Sequence, residues 1–354
     1  MSIDYLIIGG TGSLGKALIN RIIKEDSSVV VYSRDEAKHW TIKNDLVNLE
    51  NSKSFITSQK FKSINDQVKF FVGDVRDKNR IKTALKQYLP RNIIIAAALK
   101  QVDTCELSPL ESINTNLLGT QNVIDAISES TLPQLESVLF VSTDKACSPV
   151  NVYGMCKSIS ERVVTSQSAT GDKNVRYLAV RYGNVLESRG SIIPLFKYQS
   201  ENLEFLTVTD PEMTRFIMTL DQSVDLIFDA INLGSSGETW IPFLPSMKIG
   251  DLAEIFSEKH SKGIKIVGQR PGEKLHEELL NETESSRTRL IYVNNKQRYI
   301  MDPSYKVGTY GNFNYSSAHN VVSKEELLKL LTTFNVFNKP LSAFKGREIE
   351  EIAK

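Results

Sequence analysis

The sequence predicts an α/β fold with a doubly wound parallel sheet and a smaller C-terminal lobe. Three observations lead there. Short apolar runs suited to buried strands recur at residues 5–8, 29–32, 68–72, 93–95, 135–141 and 177–180. Segments of helical periodicity, such as 16–24 and 114–127, fall between them, and alternation of this kind from residue 3 to 180 is the pattern of β-α-β units. Beyond residue 180 the pattern changes to short, polar, loop-rich stretches at 191–194, 207–215 and 269–274. These segments, 181–215 and 241–330, suit a lobe beside the sheet, while 216–240 reads as helical, then extended, and able to return to it.

Composition sets the outer bounds. A chain of 354 residues suits one large domain or two that share a cleft. Its formal net charge of +1 gives no sign of a nucleic-acid partner, and the charged run 345–351 within the 331–354 tail reads as a solvated helix face. Cys105, Cys147 and Cys156 are odd in number and lack C-x-x-C spacing, which argues against a disulfide framework or a zinc site. The four histidines, at 39, 260, 276 and 319, form no pair at ligand spacing, so no metal is expected. The first apolar run lacks a basic flank and leads straight into glycines, unlike a signal peptide. No run approaches the roughly 18 apolar residues of a membrane span. The expectation is a soluble, cytoplasmic protein with no membrane partner.

The first strand runs directly into Gly9-Gly-Thr-Gly12-Ser-Leu-Gly15 and then a helix. A glycine turn between strand and helix is the setting of a dinucleotide site, because free amides and the helix dipole both favour a pyrophosphate. Gly9, Thr11, Gly12, Ser13, Leu14 and Gly15 are therefore candidate cofactor residues. The second strand ends at Tyr32-Ser33-Arg34-Asp35-Glu36. A carboxylate in the place of Ser33 would bind ribose hydroxyls. Ser33, with Arg34 beside it and Lys38 one helical turn on, suits a 2′-phosphate and favours NADP. The alternative is that Asp35 takes the ribose and Arg34 is solvated.

Residues 41–66 are polar and read as a helix plus a surface insertion. The third strand leads into Gly73-Asp74-Val75, where Asp74 can accept from an adenine amino group. The fourth leads into Ala96, Ala97 and Ala98, small enough for a ribose and nicotinamide to lie against the backbone, or simply tightly packed. The fifth ends at Ser142-Thr143-Asp144-Lys145, and Tyr153 and Lys157 follow at a spacing that puts both on one helix face. A phenol titrates near 10, so Tyr153 as a base needs help, which the charge of Lys157 would supply. Surface Tyr and Lys side chains are the alternative for that pair, and Lys145 can also be a simple ion-pair partner of Asp144.

Together these segments resemble the extended short-chain dehydrogenase/reductases, and more narrowly the inverting UDP-N-acetylglucosamine 4,6-dehydratases. The resemblance spans residues 3 to about 330. It rests on Gly9 to Gly15, Tyr32-Ser-Arg-Asp-Glu36, Gly73-Asp-Val-Arg-Asp77, Ala96-Ala-Ala-Leu-Lys100, Ser142-Thr-Asp-Lys145, Tyr153-Gly-x-x-Lys157, Arg181-Tyr-Gly-Asn184, Asp210-Pro-Glu-Met-Thr-Arg215 and Arg270-Pro-Gly-Glu-Lys274. Two departures are Met155-Cys156, where the family has small residues, and the long insertion before Val68.

The resemblance implies a Rossmann-type doubly wound sheet with a C-terminal substrate-binding lobe, NADP as cofactor, UDP-N-acetylglucosamine as substrate and a homo-oligomer, dimer or hexamer. It implies Tyr153 as the base at the C4 hydroxyl and Lys157 at the nicotinamide ribose. Thr143 would bond the substrate at C4, Asp144 would be the acid at C6 and Lys145 the base at C5. Retaining dehydratases have Asp then Glu at this point; here Asp144 is followed by Lys145. A lysine base must be partly neutral, so Lys145 is expected to have a lowered pKa. Lys100, Asn184, Arg215, Arg270 and Glu273 are the candidate substrate residues, the two arginines for the diphosphate. A UDP-sugar 4-epimerase, which needs no Asp144–Lys145 pair, and a non-catalytic NADP(H)-binding sensor are the other readings.

Overall fold

The computed structural model describes residues 2–54, 63–186, 191–303 and 311–339. Six strands, β1 (Ile3–Ile8), β2 (Val29–Ser33), β3 (Val68–Val72), β4 (Pro90–Ile95), β5 (Ser137–Val141) and β6 (Arg176–Val180), pair in parallel in the order β3-β2-β1-β4-β5-β6. The order reverses between β1 and β4, which opens a crevice at the strand ends where a doubly wound sheet takes its ligand. Ile7, Val31, Ile94 and Leu139 pack on one face, while Leu6, Val30, Ile93 and Val138 pack on the other. Both faces are covered, which is why these strands read as unbroken apolar runs rather than as alternation.

Two short strands follow, β7 (Phe205–Val208) and β8 (Thr214–Phe216), and then the chain returns to the sheet. The helix Leu220–Leu233, capped reciprocally by Thr219 and Gln222, delivers β9 (Thr239–Pro242) parallel to β6. Next come β10 (Ser246–Lys248), which pairs with β8, β11 (Gly263–Ile266), which pairs with β7, and β12 (Glu278–Leu280). The hairpin β13 (Thr288–Val293) and β14 (Lys296–Met301) then adds two antiparallel strands beside β9, for nine in all. This hairpin lies in the 241–330 stretch read from sequence as lobe. Being antiparallel, it needs no crossover helix and so breaks the β-α alternation. Its turn places Asn294 and Asn295 at φ 49° and 60°, the left-handed pair that a two-residue hairpin requires.

The lobe has its own core of Ile193, Phe196, Leu206, Met213, Leu252 and Phe256. The stretch 191–194 is not a loop but the start of a helix, Ile192–Asn202, whose Pro194 sits in the first turn where a missing N–H costs little. The helix Lys324–Thr333 buries Leu327 and Leu331 in the same core, and strand β15 (Tyr315–Ser316) pairs with β12. The charged run 345–351 and residues 55–62 of the insertion lie outside the described residues; residues 36–54 are helical.

Candidate active site

The glycine turn is shaped by backbone contact. Gly9 has φ +89°, and a Cβ there would lie 2.5 Å from the Ala97 nitrogen. A Cβ at Gly15 would lie 2.2 Å from the Gly10 carbonyl oxygen, so only glycine lets the helix Ser13–Lys24 start this close to β1. That helix has Gly12 as N-cap and no side chain bonding its first amides, which leaves them available to an anion. Thr11, Ser13 and Leu14 line the same cleft of about 900 Å3.

At the end of β2 the Ser33 hydroxyl is buried against Thr11 Oγ1 at 2.9 Å. The Asp35 carboxylate is held below its ordinary range, chiefly by its bond with Lys38, whose Nζ lies at 2.8 Å. Arg34 is more than half exposed and stands 3.8 Å from Asp74. All six residues line the cleft. Asp74 itself is gripped by a fork from Arg76, Nε to Oδ1 at 3.1 Å and Nη2 to Oδ2 at 2.8 Å, and those bonds lower its pKa. Arg76 escaped the sequence reading, although it lies inside the Gly-Asp-Val-Arg-Asp motif. Gly73 is required there because a Cβ would meet the Tyr32 ring at 2.4 Å.

After β4, Ala96, Ala97, Ala98 and Lys100 continue the cleft wall together with Val75. Asn116, almost fully buried, fixes this segment. Its Oδ1 accepts from Leu99 N–H at 2.7 Å and its Nδ2 donates to the Leu99 carbonyl at 2.9 Å. Asn116 lies in a π-helical turn, Ile113–Leu118, that precedes the α-helix Gly119–Ser128. The periodicity over 114–127 predicted one uniform helix; the wider turn is a distortion that recurs at functional sites.

The turn after β5 carries the chemistry. Thr143 caps a 3₁₀ turn, Asp144–Ala146, its Oγ1 accepting from Lys145 N–H, and the same hydroxyl donates to Asp144 Oδ1 at 3.0 Å. The helix Val152–Thr165 starts at Asn151, whose Oδ1 accepts from Gly154 N–H at 2.7 Å. A Cβ at Gly154 would lie 2.2 Å from the Lys145 carbonyl oxygen, so glycine lets the helix press against the turn. Thr143, Asp144, Lys145, Tyr153 and Lys157 thereby share one wall.

Their protonation differs from the sequence expectation in two ways. Burial pushes the Tyr153 phenol up to about 12, and the Lys145 ammonium and Thr143 hydroxyl pull it back. Lys157 instead donates to the Val141 carbonyl at 2.5 Å and stands 3.9 Å over the Phe140 ring. Burial pulls Lys157 down to about 7. The cationic help for the phenol thus comes from Lys145.

Lys145 was expected to have a lowered pKa, and it is raised. Burial pulls it down, but Asp144 and then Glu277 outweigh that. Its Nζ lies 3.2 Å from Asp144 Oδ1 and 3.0 Å from Glu277 Oε1. Asp144 is pushed up by burial against the pull of Lys145. Glu277 is held below its ordinary range, because Lys145 and then Arg215 overcome the cost of its burial. Nothing in the sequence marked Glu277, since no spacing links it to Lys145.

At the far end, Asn184, Arg270 and Glu273 line the cleft, and Asn184 Oδ1 is buried without a hydrogen-bond partner. Glu273 Oε2 accepts from Arg270 N–H at 3.1 Å, and Asn151 Nδ2 donates to the Gly272 carbonyl at 2.7 Å. The loop with Arg270 is thereby tied to the cap of the Tyr153 helix. Arg215 is not among the described cleft-lining residues. Its Nη1 donates to the carbonyls of Thr214 and Leu275, and its Nε lies 3.9 Å from Glu277. Arg181, from the motif that ends at Asn184, is locked between Glu161 and Glu284 at 2.6 and 2.7 Å. Cys105, Cys147 and Cys156 are buried free thiols. Among the described residues there is no cluster suited to a metal, and no helix is long and apolar enough to cross a membrane.

The chain is 36% identical to a UDP-N-acetylglucosamine 4,6-dehydratase (inverting) of Campylobacter jejuni, over 93% of this chain and 97% of that one. It is 39% identical to a UDP-glucose 4-epimerase of Rickettsia bellii over 80% and 79% of the two chains. The crystal structure of Pen from Bacillus thuringiensis superposes with a TM-score of 0.81 at 33% identity, covering 94% of this chain and 98% of the other. The model of the polysaccharide biosynthesis protein family matches residues 5–296. This chain, with its doubly wound dehydrogenase/reductase sheet, belongs to the polysaccharide biosynthesis protein family.

Proposed function

We propose that the protein is an NADP-dependent UDP-N-acetylglucosamine 4,6-dehydratase that inverts C5, giving UDP-2-acetamido-2,6-dideoxy-L-arabino-hexos-4-ulose. The observation that carries this reading is the placement of Asp144 and Lys145 beside Tyr153 on one wall of the cleft. A 4-epimerase needs one acid–base group at C4. This wall offers two more, Asp144 and Lys145, and their surroundings differ: burial pushes Asp144 toward holding a proton, while Asp144 and Glu277 hold Lys145 toward its charged form.

Tyr153 takes the C4 hydroxyl proton once the phenol has been ionised with help from the neighbouring ammonium. Lys145, as free amine, takes the C5 proton made acidic by the C4 ketone, and Asp144 protonates the departing C6 hydroxyl as water. Thr143 orients both the C4 oxygen and Asp144. Held here, NADP would supply hydride acceptance at C4 and hydride return at C6, so that no net oxidation occurs, while C5 regains a proton on the face opposite to the one it left. The fit of this cofactor is supported by the glycine turn, whose approach to Ala97 leaves no room for a Cβ. Preference for the 2′-phosphate is supported by Arg34 and Lys38 at the cleft edge, with Asp35 already taken by Lys38. Asn184, Lys100, Arg270 and Glu273 are proposed to hold the UDP-sugar.

The relatives named UDP-glucose 4-epimerase favour a second reading, and mass decides between the two. Incubated with UDP-N-acetylglucosamine, a dehydratase yields a product lighter by one water. Conversion to an isomer of unchanged mass would establish the epimerase.

A further inference from the structure

We propose that Glu277 is a positioning residue that fixes both the place and the protonation of the Lys145 amine. The inference rests on the dehydratase reading above and extends it to a residue behind the cleft wall. Glu277 does not line the cleft, yet its side chain is only 2% exposed and reaches Lys145 Nζ at 3.0 Å.

Its backbone is clamped on both sides. Glu277 N–H donates to Ser317 Oγ at 2.9 Å, and Ser317 N–H donates to the Glu277 carbonyl at 2.8 Å. The same Ser317 hydroxyl lies 2.7 Å from Thr214 Oγ1, which also meets His276 Nδ1 at 2.8 Å. Three separate segments therefore converge to aim one buried acid at one amine. Burying an acid costs desolvation that a pair only partly repays, and an apolar residue would fill this space without that penalty.

The groups that face Lys145 from each packed element are Asp144 on its own turn, Tyr153 on the adjacent helix, Arg215 on β8 and Glu277 before β12. Lys274 adds its charge to Glu277 from the loop. Asp144 Oδ2 and Glu277 Oε2 are both buried without a protein partner. One ammonium is thus bridged by two acids that each keep an open acceptor. In the C5 step the C–H bond breaks, its proton forms an N–H bond on the neutral amine, and the electron pair passes toward the C4 carbonyl. The resting ammonium must first lose a proton to solvent. The charge of Glu277 determines the pH at which that happens, and its clamp determines where the amine then points.

The test is the pH profile of deuterium incorporation at C5 of UDP-N-acetylglucosamine in D₂O, for the wild type, Glu277→Gln and Glu277→Asp with NADP bound. Glutamine keeps an acceptor oxygen and loses the charge. Its acid-side limb should move down by about one to three pH units. Aspartate keeps the charge but retreats from the amine, so exchange should fall about tenfold or more across the whole profile with the limb near its wild-type position. If the Gln limb does not move, whether or not the rate falls, the inference is overturned while the dehydratase reading stands. A wild type that exchanges nothing at C5 overturns both.

Discussion

Lys145, part-buried, and Lys157, fully buried, both line the cleft, and they carry opposite instructions. Burial alone pulls either amine toward its neutral form. Around Lys157 it prevails: the side chain meets a carbonyl and the Phe140 ring, Glu161 opposes without reversing it, and the amine settles at about 7. Around Lys145 it loses, because Asp144 and Glu277 both stand within 3.2 Å of Nζ. The acids in contact, rather than depth, decide which lysine is charged. In the proposed reading the cofactor end of the cleft receives an amine poised near neutrality, and the sugar end receives a firmly held ammonium.

Substitution at the sugar end should have the largest effect. Lys145→Gln is expected to lower C5 exchange by about 10²–10⁴-fold, the span of a lost acid–base group, while oxidation at C4, read as reduced cofactor at 340 nm, falls less, because there only the charge that assists the Tyr153 phenol is lost. Equal loss of both steps would show that Lys145 serves Tyr153 rather than C5.

A smaller, opposite effect should mark Lys157. Unfolded, it holds its proton to its ordinary 10.5, whereas folded it releases it near 7. Between those values the unfolded chain binds more protons, so this group makes stability rise with pH, by at most about 1.4 kcal/mol per unit. Lys145 is raised instead. Its stabilising share is complete below 10.5 and is lost only at higher pH, so it adds no slope from pH 7 to 9. Urea melts across that range should show a rise in the wild type that Lys157→Met abolishes. A slope retained in the variant would mean that Lys157 is not neutralised by folding.

The smallest expected effect sits where the two environments touch. A methyl at Gly154 would strike the Lys145 carbonyl, and Gly154→Ala should cost about 1–3 kcal/mol by overpacking. It should also displace both amines, which would appear as a changed C5 exchange rate together with weaker NADP binding. Unchanged stability would show that the helix shifts freely.

Much of this was legible in the sequence, for a physical reason. The glycine turn, the Ser33–Arg34 strand end, the Asp144–Lys145 turn and the Tyr153–Lys157 helix are each contiguous, and local geometry fixes their placement on the cleft. Glu277 is different. It reaches Lys145 only because Ser317 and Thr214, distant in sequence, hold it there. The direction of the Lys145 shift was hidden in part with it, since Glu277 joins Asp144 in outweighing burial. Arg215 was assigned to the diphosphate from its motif and its forked guanidinium, and the fold places it outside the described cleft lining, 3.9 Å from Glu277. The β13–β14 hairpin was missed because alternation of strand and helix is the signal of parallel sheets only.

The most direct single measurement is proton NMR of UDP-N-acetylglucosamine incubated with the purified protein and NADP in D₂O. Inverting dehydration predicts a new 6-methyl signal, deuterium at C5 and L-arabino couplings, without net reduction of the cofactor. Appearance of the C4 epimer with its C6 hydroxymethyl and C5 proton intact would contradict it.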